Sequence, residues 1–305
     1  MATFRFNFGA KENELNEKIV SLDEGGAKQK AEEIKVSIDA LLKTDDSRFN
    51  TQEIVINEET AVKTLNIKHV EETLKAKDKN TRSCVLNASL SNKDLVPDLY
   101  EGGLKIWECA VDLVEFLQQK EVKFEDKRVL ELGCGAGLPG IFGLMKGACV
   151  DFQDYNREVI ENFTMPNVFL NLKSSHYHFS NQQLESLLSA KCRFYAGDWK
   201  CLENYINHNK NPEQLYDIIL TSETIYDTRN QSKLLSFIRS HLRYPYGVVY
   251  VAAKTCYFGV GGGTRTFEMV VNESQDLLVT VSKVYQEGVQ REILTMEWRQ
   301  KNSKE

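Results

Sequence analysis

The run Arg128-Val129-Leu130-Glu131-Leu132-Gly133-Cys134-Gly135-Ala136-Gly137-Leu138-Pro139-Gly140 decides how the rest of the chain is read. Val129, Leu130 and Leu132 make a short apolar segment, as expected of a buried strand. It runs straight into glycines at every second position. Glycine has no Cβ, so the backbone can turn sharply there and approach a ligand closely. A helix is expected over 138–145, its N-terminus facing the turn. Such an end carries free N–H groups and partial positive charge. The stretch is therefore a ligand-binding bend at the carboxyl end of a strand, where open α/β sheets bind ligands.

Two cofactor classes use this geometry. Gly135-Ala136-Gly137-Leu138-Pro139-Gly140 satisfies the dinucleotide pattern G-x-G-x-x-G. That frame starts two residues late relative to the strand, and it puts Pro139 where the helix should bind pyrophosphate. The earlier frame, Glu131-x-Gly133-x-Gly135-x-Gly137, resembles the S-adenosylmethionine site of class I methyltransferases. The resemblance implies that the acidic group faces the cofactor's ammonium. The plain alternative is an ordinary strand–helix turn with glycines for compactness.

The 305 residues suffice for one large domain, or a domain plus an extension. Apolar residues are 42% and charged residues 27%, a globular composition. The net charge of -6 supplies no global basic field for nucleic-acid phosphates and suits a cationic protein partner better. The seven cysteines have no regular spacing and no CxxC pair, so neither zinc nor another metal is expected. Cys134, Cys149, Cys192, Cys201 and Cys256 are expected to pack as small reduced hydrophobes. The N-terminus has no apolar signal core, and the longest apolar run, 247–253, is too short to span a bilayer. A soluble intracellular protein, without membrane or direct nucleic-acid contact, is the expectation.

Residues 1–96 read as a partly mobile N-terminal extension and 97–305 as the main domain. Phe4, Phe6 and Phe8 alternate with polar residues in a strand-like pattern. Helical spacing is expected over 27–42 and short strands over 52–56 and 61–70. The basic run 75–82 reads as a solvated linker, and 89–97 as another polar connection.

Beyond that boundary, a helix is expected over 105–120, with Trp107, Ala110, Val111, Val114 and Leu117 on one face. Trp107 is either a core anchor or an aromatic wall over which a sulfonium sits. Asp154 follows the apolar segment 148–153, roughly 20 residues past the glycines, and suits two ribose hydroxyls. Pro166 should kink or split the helix over 157–172. His176 and His178 lie in an expected surface loop. Gly197-Asp198-Trp199 ends the strand 192–196. There a carboxylate can accept from an adenine amino group and an indole can cover the ring. Thr221-Ser222-Glu223-Thr224-Ile225-Tyr226 follows the strand 216–220 and points into the crevice. A helix over 231–242 and a strand over 247–253 come next. The loop Tyr257-Phe258-Gly259-Val260-Gly261-Gly262-Gly263 is either a floppy connector or a shaped substrate entrance. A helix over 264–271 and two antiparallel strands, 277–284 and 291–298, finish the domain. Alternating strands and helices make this an α/β protein: a doubly wound, seven-stranded, mostly parallel, Rossmann-like sheet with an N-terminal extension.

The glycine turn, Asp154, Gly197-Asp198-Trp199 and the 221–226 segment together resemble the protein-lysine and protein-histidine methyltransferases. Three stretches are similar to the protein-histidine N-methyltransferases in particular. They are Tyr100-Glu101-Gly102-Gly103-Leu104-Lys105-Ile106-Trp107-Glu108-Cys109, Phe152-Gln153-Asp154-Tyr155-Asn156 and the 257–263 loop. The likeness covers roughly 97–298. It implies S-adenosyl-L-methionine as cofactor, held by Ile106, Trp107, Glu108, Cys109, Ala110, Gly133, Gln153, Asp154, Tyr155, Gly197, Asp198, Trp199 and Ser222, beside Glu131, Gly135 and Gly137 of the turn. It implies as substrate one histidine of a large-subunit ribosomal protein, the third in the standard naming, free or in a preribosome. The expected enzyme is a monomer of the cytoplasm and nucleus, including the nucleolus. Glu223 and Tyr226 are the candidate catalytic partners for the substrate ring. Protein-lysine methylation on the same fold, and a non-catalytic cofactor-binding ribosome assembly factor, are the alternatives.

Overall fold

The computed structural model describes residues 29–36, 41, 50–58, 60–77, 84–91, 95–96, 99–208 and 215–300. Eight strands form one sheet. In chain order they are β1 (Glu32–Glu33), β4 (Arg128–Leu132), β5 (Cys149–Asp154), β6 (Cys192–Ala196), β7 (Ile218–Ser222), β8 (Val248–Lys254), β9 (Leu277–Tyr285) and β10 (Arg291–Trp298). Their spatial order is β1-β6-β5-β4-β7-β8-β10-β9. The five strands from β6 to β8 are parallel; β10 runs antiparallel to both β8 and β9, and β1 runs antiparallel to β6. A separate hairpin pairs β2 (Thr51–Asn57) with β3 (Thr60–Leu65).

The parallel strands are apolar almost throughout because helices cover both faces. Val129, Ile218, Leu220, Tyr250 and Ala252 face one core layer; Leu130, Leu132, Ile219, Val249 and Val251 face the other. The first layer is covered by α3 (Glu108–Gln119), α4 (Leu138–Met145) and α6 (Met165–Ser175). The second is covered by α8 (Trp199–His208), α9 (Thr228–His241) and α10 (Thr264–Ser274). The chain builds β4, β5 and β6 outward, then returns to place β7 on the other side of β4. This reversal opens a crevice at the carboxyl ends of β4 and β7.

The expected late hairpin, the 138–145 helix and the five parallel strands are all present. The helix expected around Pro166 is split: α5 (Arg157–Val159) passes through a π-helical turn, Ile160–Thr164, into α6, with Pro166 in its first turn. Pro166 has no N–H to donate, and the hydrogen-bond register changes at the π-helical turn immediately before it.

Several expectations are corrected. The sheet has eight strands rather than seven, because Glu32–Glu33 adds to its edge where a helix was expected. The segment 61–70 is strand only to Leu65; Ile67–Lys77 is α1, so Lys75 and Lys77 belong to a helix rather than a linker. Cys84–Leu90 is α2. The buried face of α3 keeps Val114 and Leu117 as expected but takes in Cys109, Leu113 and Phe116 rather than Trp107, Ala110 and Val111. Cys256 is exposed rather than packed. The phenylalanines at 4, 6 and 8 lie outside the described residues, as do parts of the 27–42, 75–82 and 89–97 segments.

The β2–β3 hairpin is tied to α6 by two asparagines. Asn171 accepts from Lys63 N at 3.0 Å and donates to Lys63 O at 2.7 Å; Asn167 accepts from Leu65 N at 2.8 Å. Side-chain amides thus serve the open edge of β3 as a strand would. Asn167 also donates to Ala136 O at 3.0 Å, linking the hairpin to the glycine turn. No helix among the described residues is long and apolar enough to cross a membrane.

Candidate active site

Four strand ends and the approach to α3 meet at one cavity. At the end of β4, Gly133, Cys134, Gly135 and Ala136 line it. Gly133 sits at φ +61°, and a Cβ there would stand 2.4 Å from Thr224 Cγ2. The turn therefore requires glycine both for its dihedral and for its closeness to the segment after β7. Gly137, at φ +79°, is the N-cap of α4 and lies outside the lining.

Glu131 does not face the cavity. Alternation along β4 sends Leu130 and Leu132 to one core and Glu131 to the opposite face, beneath α4. Its carboxylate accepts from Gly140 N at 2.8 Å, and burial pushes its carboxyl well above the usual range. It completes the helix N-terminus rather than meeting a ligand ammonium.

At the end of β5, Gln153, Asp154 and Tyr155 line the cavity. Gln153 braces three loops: its Oε1 accepts from Gly133 N at 3.2 Å and Trp199 Nε1 at 2.9 Å, and its Nε2 donates to Gly197 O at 2.9 Å. Asp154 Oδ2 accepts from Gly135 N at 2.9 Å and Oδ1 from Asn156 N at 3.1 Å. Burial raises its carboxyl to about 6 against these donors, which pull the other way. Tyr155 N is a third backbone donor to it, and of the carboxylate's roughly four lone-pair sites this leaves one for a ligand hydroxyl.

At the end of β6, Gly197, Asp198 and Trp199 reach the same cavity. Asp198 accepts from Lys200 N at 2.9 Å and from Lys233 Nζ at 3.4 Å. The strand β1 and its flank close this end: Asp198 N donates to Gln29 O at 3.2 Å, and a Cβ on Gly197 would meet Ala31 Cα at 2.7 Å.

At the end of β7, Ser222, Glu223, Thr224 and Tyr226 line the cavity. Glu223 is a non-glycine residue at φ +57°, held there by its N–H to Ala252 O at 2.9 Å. Its Oε2 accepts from Tyr257 Oη, and its Oε1 accepts no hydrogen bond among the described residues while lying 3.6 Å from Lys254 Nζ. Tyr257 is buried; desolvation, then the Glu223 charge, push its phenol well up. The glycine loop is no floppy connector: Gly262 N donates to Tyr226 O at 2.9 Å and Gly263 N to Ile225 O at 3.1 Å. A Cβ on Gly262 would fall 2.2 Å from Tyr226 O, so the close approach needs glycine.

From the start of α3, Ile106, Trp107 and Ala110 line the cavity, whereas Glu108 and Cys109 do not. Glu108 turns to Arg291 at 3.5 Å, and Cys109 is buried behind Glu223. Trp107 Nε1 donates to Gly102 O at 3.2 Å. Two ammonium groups lie over its ring, Lys105 at 4.3 Å and Lys254 at 5.3 Å from the centroid. The ring expected to face a sulfonium is thus already engaged by the protein's own cations.

Among the lining residues that reasoning from sequence missed are Glu101, Lys105, Thr224, Asn230 and Lys233, with Lys254 close to Glu223. Asn230 and Lys233 lie three apart on α9, a spacing that also describes any solvated helix face. His176 keeps its ring on Leu172 O and Phe179, and no group of metal-ligating side chains occurs among the described residues.

The cavity thus joins a buried carboxylate suited to a ligand hydroxyl, an indole and carboxylate beside it, and a glycine turn open to a small chain. Residues 97–258 match the family described as lysine methyltransferase. The histidine protein methyltransferase 1 homologue of Dictyostelium discoideum is 39% identical over 200 residues, covering 66% of this chain and 58% of that protein. The Bos taurus protein of that name is 37% identical over 246 residues, covering 77% and 65%. The EEF1A lysine methyltransferase 3 of Mus musculus is 26% identical over 150 residues, covering 49% and 55%. The chain spans roughly three fifths of the length of the curated relatives it matches. Since the match takes in more than half of the chain, and with it the glycine turn, Asp154, Trp199 and Glu223, this protein belongs to the lysine methyltransferase family and carries its class I methyltransferase fold.

Proposed function

We propose that the chain is an S-adenosylmethionine-dependent protein-histidine N-methyltransferase. The observation that carries this reading is the convergence of the β4 to β7 ends on one cavity, with Asp154 and Glu223 at separate places in its wall. The residues fit the donor: Asp154 keeps acceptor capacity for a ribose hydroxyl, Trp199 is anchored beside Asp198 for the adenine, and the Gly133–Gly135 backbone leaves room for the methionine portion. Bound there, the cofactor supplies a methyl group already activated by its sulfonium. The protein's part is then to orient, to exclude water and to handle one proton.

Glu223 Oε1, buried and accepting no hydrogen bond among the described residues, suits the N–H of a substrate imidazole. Accepting it fixes the tautomer, leaves the other ring nitrogen's lone pair as nucleophile, and gives the proton a destination once the new N–C bond forms. Tyr226, packed edge-on against Tyr257, walls the same place. Imidazole, with a free pKa near 6.5, is already largely neutral at cell pH, whereas a lysine amine must lose a proton at a cost of roughly 4 to 5 kcal/mol. The higher identity to histidine-methylating relatives than to the lysine-methylating one supports the same choice.

The finer reading, a histidine of the third large-subunit ribosomal protein, free or in a preribosome, in the cytoplasm and nucleus, rests on the sequence resemblance alone. The test is incubation of the enzyme with methyl-labelled cofactor and large-subunit ribosomal proteins, followed by peptide mass spectrometry. Label on a histidine of one protein is expected. Label on lysine, or none with the cofactor bound, would replace this reading by lysine methylation or by a non-catalytic assembly factor.

A further inference from the structure

The parallel strand β8 is apolar from Val248 to Ala253 and then ends in a lysine that does not leave the core. Lys254 is 6% exposed. Its ammonium lies 3.6 Å from Glu223 Oε1, 5.3 Å from the Trp107 ring and 5.5 Å from the Tyr257 ring. Its backbone N–H donates to Tyr257 Oη at 3.2 Å, and that hydroxyl donates to Glu223. From the outer side, Lys105 Nζ stands 4.3 Å over the same Trp107 ring.

A carboxylate beside an aromatic face is what a substrate ammonium needs: a counter-ion and a cation–π wall. Here both are already taken by an internal ammonium approaching from behind. Another lining carboxylate, Asp198, is likewise paired, with Lys233 at 3.4 Å, and Asp154 receives three backbone N–H groups. At the catalytic end, Glu223 therefore already has a cation of the chain's own beside it when a second cation arrives.

We propose that Lys254 is a specificity-determining residue, whose buried ammonium satisfies Glu223 and Trp107 and so restricts the nucleophile to a neutral ring. The proposal rests on the protein-histidine reading above. A lysine side chain arrives charged. It would have to share Glu223 with Lys254, and it would need that carboxylate, already compensated, to draw off its proton. An imidazole arrives neutral, needs only a hydrogen bond from Glu223 to become the nucleophile, and gives up its proton only after the N–C bond has formed. The discrimination is thus a repulsive element aimed at the wrong substrate.

The test compares kcat/KM for a substrate peptide carrying the target histidine and the same peptide with lysine in its place. In Lys254→Met the histidine-to-lysine ratio should fall by at least about tenfold, while Lys254→Arg, which keeps the charge, should hold it within about twofold. A measurement on the wild type guards against misfolding of the methionine variant. 4-Methylimidazole should inhibit wild-type turnover at concentrations where n-butylammonium does not. An unchanged ratio in folded Lys254→Met, or equal inhibition by the two small molecules, overturns the proposal. A wild type that prefers the lysine peptide fails differently: it overturns the protein-histidine reading itself, and this proposal with it.

Discussion

Replacing Gly133 by alanine puts a number on the glycine turn. At φ +61° an alanine carries left-handed strain of about 1 to 2 kcal/mol. Its Cβ would stand 2.4 Å from Thr224 Cγ2, far inside contact distance. Thr224 cannot step aside cheaply, since its hydroxyl pairs with Thr221 Oγ1 at 2.6 Å and Thr221 in turn donates to Leu132 O at 2.9 Å. Overpacking of this kind costs about 1 to 3 kcal/mol. The sum, about 2 to 5 kcal/mol, corresponds to a fall in Tm of roughly 3 to 8 °C for a chain of this size. The second change separates the two terms. Thr224→Ser removes Cγ2 and keeps the hydroxyl, so Gly133→Ala/Thr224→Ser should recover about 1 to 3 kcal/mol, leaving only the dihedral strain. Thermal unfolding by circular dichroism reads all four proteins of the cycle. Adenosylhomocysteine affinity by calorimetry should fall with Gly133→Ala and partly return in the double variant. A Gly133→Ala protein melting within about 1 °C of wild type, or a double variant that recovers nothing, would refute the steric reasoning.

Other perturbations have equally definite outcomes. Gln153→Leu leaves Gly133 N, Trp199 Nε1 and Gly197 O without their partner. At about 1 kcal/mol for each bond it should lose roughly 3 kcal/mol of stability, measured by urea unfolding, and should loosen the cofactor more than Tyr155→Phe does. Asp154, raised to about 6 by burial, makes the crevice pH-sensitive in two opposed ways. Because the folded value exceeds the unfolded one, its contribution to stability is full below about pH 4 and is lost as pH rises through 6, a difference of about 3 kcal/mol. Adenosylhomocysteine binding needs the carboxylate and should weaken as pH falls below 6, as a calorimetric pH series would record. Asn167→Leu removes the bonds to Leu65 N and Ala136 O. It should cost about 2 to 4 kcal/mol and speed limited proteolysis within the β2–β3 hairpin before the main sheet opens.

What the chain reveals before folding is unevenly distributed. The glycine turn, the 138–145 helix and the parallel strands are legible because each is written locally, as an apolar run ending in turn residues. Asp154, Trp199 and Glu223 are legible for a related reason, since a polar residue just past a buried strand must lie at the sheet's edge. Glu131 misleads because its spacing from the glycines fits a ligand contact, whereas strand alternation alone decides which face it takes; Leu130 and Leu132 already carry that information. The strand Glu32–Glu33 has no signal of its own, being two acidic residues held by pairing with Tyr195 and Ala196 and by the Glu32–Arg157 ion pair. Lys254 carries no signal of its own in the sequence, where it is simply the residue after an apolar strand. Only the fold brings Glu223, Trp107 and Tyr257 around it.

The central claim is that the cavity over β4 to β7 holds an adenosyl sulfonium. A structure determined with adenosylhomocysteine bound tests it most directly. The account expects a ribose hydroxyl on Asp154, the adenine beside Asp198 and Trp199, and the sulfur facing Glu223. Adenosylhomocysteine seated anywhere else, or a ribose that leaves Asp154 to its backbone donors alone, would contradict it.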